Sequence, residues 1–283
     1  MNNGIDSIII AIQGPIGAGK STFCEIVVNK LQDCIKVDEP IGMWKELIDS
    51  DGKNVLDKFY SDIKRWAYFF QNIACITRMM KFEETIRGSK NKYIMLDRSL
   101  DTDAHVFEKM LHDSGMISEM EHQAYNLWCD FYWKYVRDRA QAKIINVYLK
   151  CDAKICIERI KKRGRVEEEG IQLDYLQSLN EYHDKWLLER NDTIVIDCNE
   201  DFESSDEKQN QMISFILSRI EEILGQKNNT GIEPEIEPVI ELVIEPEIEP
   251  VIEPVIEQVI EQVIEPVIES IQDESSDNSN WIY

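Results

Sequence analysis

Residues 7–22 read SIIIAIQGPIGAGKST: an apolar run, a glycine-rich turn and a lysine, in the order a phosphate site requires. Gly14, Gly19, Lys20 and Ser21 match G-x-x-x-x-G-K-[ST] without a gap, and Gly17 and Thr22 fall inside the same loop and the helix start. Ile8 to Ile12 predicts a buried parallel strand, Gly14 to Gly19 a tightly curled loop, and Lys20 onward a helix. Such a loop gathers unpaired N–H groups and the positive end of a helix dipole on one spot, which suits a nucleotide β-phosphate. Lys20 would reach the β/γ oxygens and Ser21 a Mg²⁺, so the stretch implies binding of ATP or another nucleoside triphosphate.

The remaining composition narrows the choice. All 31 Lys and Arg precede Asn228, whereas residues 228–283 hold 15 acids and no base, leaving 39 acids against 31 bases before them. A net-acidic body is poorly suited to a polyanion, because phosphate-backbone affinity comes from Lys and Arg releasing counterions, so no nucleic-acid partner is expected. About 227 residues suffice for one α/β domain with a sizeable core. The seven cysteines (24, 34, 75, 129, 151, 156 and 198) form no C-x-x-C pair and read as reduced thiols of a reducing, cytoplasmic compartment. The start, MNNGIDS, lacks a signal-peptide layout, and no run approaches the ~18 apolar residues of a span, so no membrane association is expected.

Along the chain, strands are expected at 34–37, 92–96, 143–149 and 193–197 after the first, with helices at 21–31, 62–87, 118–139, 153–162, 173–189 and 202–224. Five strands alternating with helices predict a doubly wound, five-stranded parallel P-loop sheet. The basic run Lys161, Lys162, Arg163 and Arg165 at the end of the helix over 153–162 is either a helical lid able to close over the triphosphate or a surface patch balanced by the three acids that follow. Glu39-Pro40 and Asp97-Arg98-Ser99 then stand at strand ends, on the crevice edge; from position alone Glu39 is either a base or a solvated loop acid. The helix over 62–87, ended by Gly88, puts Gln71 and Arg78 on one face, and Asp103 and Phe107 share a face of the next. The helix over 118–139 carries Trp128, Phe131, Tyr132 and Trp133, a core or subunit-contact surface.

From Gly231 the chain repeats I-E-P-x or I-E-x-V every four residues. Six prolines remove donors, and a four-residue period drifts about 40° per repeat around a helix, so no continuous apolar stripe can form. An extended, disordered tail over 228–283 is expected, separate from a domain over 1–227.

The motifs in sequence order, GPIGAGKST, Glu39-Pro40 with Trp44 five residues on, FFQ at 69–71, DRS at 97–99, RGRVEEEG at 163–170 and NEDF at 199–202, resemble the deoxynucleoside kinases of the deoxycytidine/deoxyguanosine type. The resemblance runs from Ile8 to about Phe202 and leaves the tail without a counterpart. It implies transfer of the ATP γ-phosphate to a deoxynucleoside 5′-OH in nucleotide salvage, by a homodimer. Glu39 would take the hydroxyl proton, with Lys20, Arg98 and the lid cations Arg163 and Arg165 neutralising charge. Asp97, where the family commonly has glutamate, would serve Mg²⁺ with Ser21. The resemblance puts Trp44, Phe70 and Phe107 around the base and the Gln71 amide on its edge, with Tyr60 and Glu168 on the 3′-OH. It sets Arg159 against the donor adenine and Asp197 beneath it. An Arg78–Asp103 pair there goes with deoxycytidine and purine kinases rather than thymidine kinases.

Two other readings share these motifs. A thymidylate-type nucleotide kinase would want further cations for an acceptor phosphate, whereas Glu39, Trp44 and Gln71 suit an uncharged sugar. A catalytically silent structural member of the family should show damage at the loop, base or lid, all of which are present here.

Overall fold

The computed structural model describes residues 7–229 apart from Gly88, 141–142, 166–167 and 169, and leaves the side chains of 135–140 and 226–229 undescribed. The Ile/Glu/Pro tail, the expected helix stop at Gly88 and the lid residues Val166, Glu167 and Glu169 therefore lie outside the described residues.

Five strands, β1 (Ile8–Gln13), β2 (Cys34–Val37), β3 (Tyr93–Asp97), β4 (Lys143–Lys150) and β5 (Thr193–Asp197), form one sheet in the order β2-β3-β1-β4-β5. Every pairing is parallel, as the α/β alternation predicts. β1 is central because both its faces are apolar. Ile10 and Ile12 pack with Phe23, Val27, Leu176, Leu179, Ile216 and Ile220 on one face. Ile9 and Ala11 pack with Cys75, Phe82, Tyr125 and Tyr132 on the other. Each such isoleucine contributes about 2 kcal/mol of burial, which explains why the strand reads as a continuous apolar run rather than an alternation.

The helices are α1 (Lys20–Lys30), α2 (Ile41–Glu46), α3 (Val55–Ser61), α4 (Ile63–Ile86), α5 (Leu100–Thr102), α6 (Lys109–Asp113), α7 (Glu119–Ala140), α8 (Ala153–Arg163), α9 (Leu173–Leu187) and α10 (Asp206–Asn229), with a π-helical turn at Asp103–Glu108. Register matters most at one edge: Ile12 pairs with Asp97 and Val147, so the loops after β1 and β3 leave the sheet side by side. A buried polar knot fixes that edge, in which Gln13 Nε2 donates to Ser99 Oγ (2.8 Å) and Asn146 Oδ1 (3.0 Å), and Thr102 Oγ1 donates to Gln13 Oε1.

The structure adds two helices, corrects two expectations and divides one surface. α2 and α3 lie in a stretch for which the sequence pattern predicts no helix, although Asn54 and Asp57 form a reciprocal capping box at the start of α3. The last helix starts at Asp206 rather than Phe202, because the Phe202 ring is held edge-on to Phe23, 5.9 Å between centroids, and the chain turns at Asp201 before entering the helix. Asp103 and Phe107 sit on a π-helical turn, not a regular α-helix. The aromatics of α7 divide: Tyr125 and Tyr132 are buried, while Leu127, Trp128 and Phe131 stand more than half exposed.

Candidate active site

The phosphate loop closes by steric necessity. Gly14, Gly17 and Gly19 all have positive φ, and a Cβ on Gly17 would lie 2.5 Å from the Cys156 carbonyl oxygen. Any side chain there would have to displace the start of α8. Gly19 caps α1 at φ 92°, which turns the first N–H groups of that helix into the crevice. Lys20 is buried; its ammonium donates to the carbonyls of Gly14 (2.9 Å) and Pro15 (2.7 Å). Burial, then Arg98, brings that ammonium down to about 7, against the pull of Asp97 and Glu39.

Beside it, Ser21 Oγ donates to Asp97 Oδ2 at 2.6 Å, while Asp97 Oδ1 is buried without a hydrogen-bond partner. Hard oxygens at the mouth of a phosphate loop, one of them unsatisfied, fit a Mg²⁺ that also takes ligand oxygens. Among the described residues no three His, Cys, Asp or Glu converge on a point, so the protein alone supplies only part of such a shell.

Glu39 is not a solvated acid. Its Oε1 accepts from Arg78 Nη2 at 2.5 Å and from Arg98 Nη1 at 2.9 Å. Arg98 adopts φ 69°, a left-handed backbone that a long side chain rarely takes. That turn follows from the β3 edge, where the Arg98 N–H is tied to the Ile12 carbonyl (3.1 Å), and it leaves the guanidinium 4.9 Å over the Phe107 ring and against Glu39. Burial alone would push the Glu39 carboxyl up; Arg98 and then Arg78 overcome it and hold the carboxyl down at about 2.

Arg78 reaches further, since its Nε lies 2.7 Å from Asp103 Oδ2, making a charge chain Asp103–Arg78–Glu39–Arg98 whose first two members are buried and last two partly buried. Burial pushes the Asp103 carboxyl up, opposed by Arg78 and Arg98. The polar stripe expected at Gln71 and Arg78 is thus fully inside, and Gln71 Oε1 has no hydrogen-bond partner. Trp44 and Phe70 meet edge to face, 5.3 Å apart and at 80°.

These groups line one cavity of about 350 Å³, the size of a small-ligand site. Gly17, Gly19, Lys20, Ser21 and Thr22 stand on its wall together with Glu39, Asp97 and Arg98, and so do Trp44, Tyr60, Phe70, Gln71, Arg78, Asp103 and Phe107. Arg163, Arg165 and Glu168 also line it, but both cations are turned onto the acid: Arg163 Nη2 lies 2.6 Å and Arg165 Nη1 3.5 Å from Glu168. Gly14, Arg159 and Asp197 are not on that wall. Arg159 donates to Cys151 Sγ (3.4 Å) and the Glu200 carbonyl (3.3 Å), and Asp197 Oδ1 accepts from the Asn199 N–H (2.8 Å), at the ends of β4 and β5. Among the wall residues that sequence reasoning missed are Phe59, Ala74 and Tyr175. Ala74 could have been found, lying one turn beyond Phe70 and Gln71, whereas nothing local marks Tyr175.

A sequence model of the family described as deoxynucleoside kinase matches residues 10–221 of this chain. A probable deoxycytidine kinase of fowlpox virus is 35% identical over 222 residues, spanning 77% of this chain and 88% of its own. Deoxycytidine kinase 2 of Gallus gallus is 33% identical over 236 residues (74% and 89%). The deoxycytidine kinase of Homo sapiens is 31% identical over 238 residues (75% and 91%).

The charge network makes a pH prediction. Glu39 holds its proton less tightly folded than its ordinary value of 4.5, so its pairs contribute stability that is full above about 4.5 and vanishes as pH falls through about 2. Glu39→Gln leaves Arg98 without its anion and Arg78 with Asp103 alone, and should lower the melting temperature. That deficit should shrink as pH falls from about 4.5 toward 2, where Glu39 takes up its proton, and also as pH rises past about 7, where Lys20 is neutral in both proteins. Thermal melts of both proteins from acid to alkaline pH check it, and a deficit undiminished in acid would contradict the pairing.

Proposed function

The chain belongs to the deoxynucleoside kinase family, and on that premise we propose that it transfers the γ-phosphate of ATP to the 5′-OH of deoxycytidine or a purine deoxynucleoside in preference to thymidine, in nucleotide salvage. It is a phosphotransferase. The observation that carries the reading is the shared cavity, in which Lys20 and Ser21 of the phosphate loop and the Gln71, Trp44 and Phe70 wall are joined by a partly buried carboxylate, Glu39.

Phosphoryl transfer asks for positioning and charge neutralisation more than covalent chemistry. The sugar O5′ bonds to the γ-phosphorus as the bond to the bridging oxygen breaks and ADP leaves, and Glu39 accepts the O5′ proton. Both guanidiniums bind Glu39 Oε1, which leaves Oε2 for that proton. A carboxyl held so low is a weak base, adequate where the proton moves late. Lys20, Arg98, Arg163 and Arg165 supply positive charge to the transferring group once donor phosphates draw the lid cations off Glu168. Ser21 and Asp97 would hold a Mg²⁺, which supplies further charge neutralisation on the phosphates. Tyr60 and Glu168 take the 3′-OH, Tyr60 crowding the place of a ribose 2′-OH, with Arg159 and Asp197 around the donor base. The seven thiols, free in the structure, suit a cytoplasmic protein, and no described helix is long and apolar enough to cross a membrane.

The Arg78–Asp103 pair supports the base preference. It fills the space of a thymine 5-methyl and offers a cation to purine acceptors and a carboxylate to amino-bearing bases. Purified protein with ATP and Mg²⁺ should phosphorylate deoxycytidine, deoxyadenosine or deoxyguanosine faster than thymidine, and no nucleoside monophosphate. Arg78→Met with Asp103→Ala, which leaves Glu39 its Arg98, should move the preference toward thymidine. A parent that already favours thymidine, or a double variant with unmoved preference, would defeat this reading of the base pocket; phosphorylation of monophosphates alone would defeat the nucleoside assignment.

We further propose a homodimer through neighbouring helices α4 and α7, whose Phe69, Ile76 and Met80, and Leu127, Trp128 and Phe131, leave apolar stripes 44–65% exposed. Light scattering at micromolar concentration should give twice the chain mass, and Trp128→Glu with Phe131→Glu should halve it. A monomeric parent would rule the interface out.

A further inference from the structure

We propose that Thr77 is a positioning residue that sets the aromatic wall of the acceptor site by fixing the Trp44 indole; the inference rests on the reading of the cavity as a nucleoside site. Thr77 lies inside α4, immediately before Arg78, and is buried. Its hydroxyl hydrogen is engaged with backbone carbonyls of its own helix, Ile73 O at 2.6 Å and Ala74 O at 3.2 Å. With the hydrogen committed there, the oxygen lone pairs point away from the helix, and one accepts the Trp44 indole N–H at 2.8 Å.

That bond acts on an element with little stability of its own. α2 is a six-residue helix with no side-chain cap, too short to hold itself, and it begins straight after Glu39 and Pro40. Its Trp44 is buried, edge-on to Phe70, with the Arg78 guanidinium 5.5 Å over the ring. A buried indole N–H without an acceptor is costly, so the ring plane is dictated by where Thr77 holds its oxygen. Thr77 touches no part of the cavity itself.

Thr77→Val keeps the shape and removes the acceptor. The KM for the nucleoside should rise about fivefold or more, the equivalent of one such hydrogen bond, with kcat within about twofold and the KM for ATP unchanged. Thr77→Ser keeps the hydroxyl and should restore the parent value. In a Trp44→Phe background there is no indole N–H to satisfy, so adding Thr77→Val should change nothing further, and this holds even if Thr77→Val alone proves unstable. Equal nucleoside KM in parent and Thr77→Val, a parallel rise in the KM for ATP, or an undiminished effect in the Trp44→Phe background would each overturn the proposal. A parent inactive on all four deoxynucleosides would instead overturn the function on which it rests.

Discussion

A single carboxylate oxygen, Glu39 Oε1, takes hydrogen bonds from two guanidiniums, those of buried Arg78 and partly buried Arg98, and the arrangement of the site depends on it. Arg78 comes from α4, Arg98 from the turn after β3, and Glu39 from the loop after β2, so the pairing ties α4 to the ends of two adjacent strands. It is also the point at which the two halves of the cavity meet. Arg78 continues to Asp103 among the base-facing residues, while Glu39 and Asp97 both pull on the Lys20 ammonium. Burying three or four charges together is tolerable only because each has a partner of opposite sign, and removing one strands the others.

The left-handed backbone at Arg98 belongs to the same constraint. A long side chain at φ 69° is held there by the β3 edge, and the conformation places its guanidinium over Phe107 and against Glu39. The π-helical turn that follows is a second departure from regular geometry, again where Asp103 and Phe107 enter the cavity. Both irregularities fall at the site and not in the sheet, whose strands pair in unbroken parallel register.

Much of this was legible in the residues. The isoleucine run before Gly14, the loop pattern and the strand-helix alternation predicted the parallel sheet, since an interior strand covered on both faces must be continuously apolar. The pairing of Glu39 was not legible from position, because a strand-end acid is usually solvated; only the cations that α4 and the turn after β3 bring to it decide the matter. Helix periodicity put Gln71 and Arg78 on one face, but the direction of that face depends on what packs over it. The π-turn leaves no trace at a spacing of four, and α3 was overlooked because its capping box joins Asn54 to Asp57 instead of the more familiar Ser or Thr to Glu. The lid arginines were expected on phosphates and stand on Glu168, the nearest anion in the protein itself.

The account centres on Glu39 as the group that takes the 5′-hydroxyl proton, and turnover of Glu39→Gln measured beside its ATP affinity tests it most directly. The amide keeps the size of the side chain and its oxygen acceptor, but cannot take the proton. ATP binding should be retained and kcat should fall by about 10²-fold or more with the preferred deoxynucleoside, the scale of general-base loss. A variant that turns over at the parent rate would remove Glu39 from the chemistry and leave it a structural anion between two arginines.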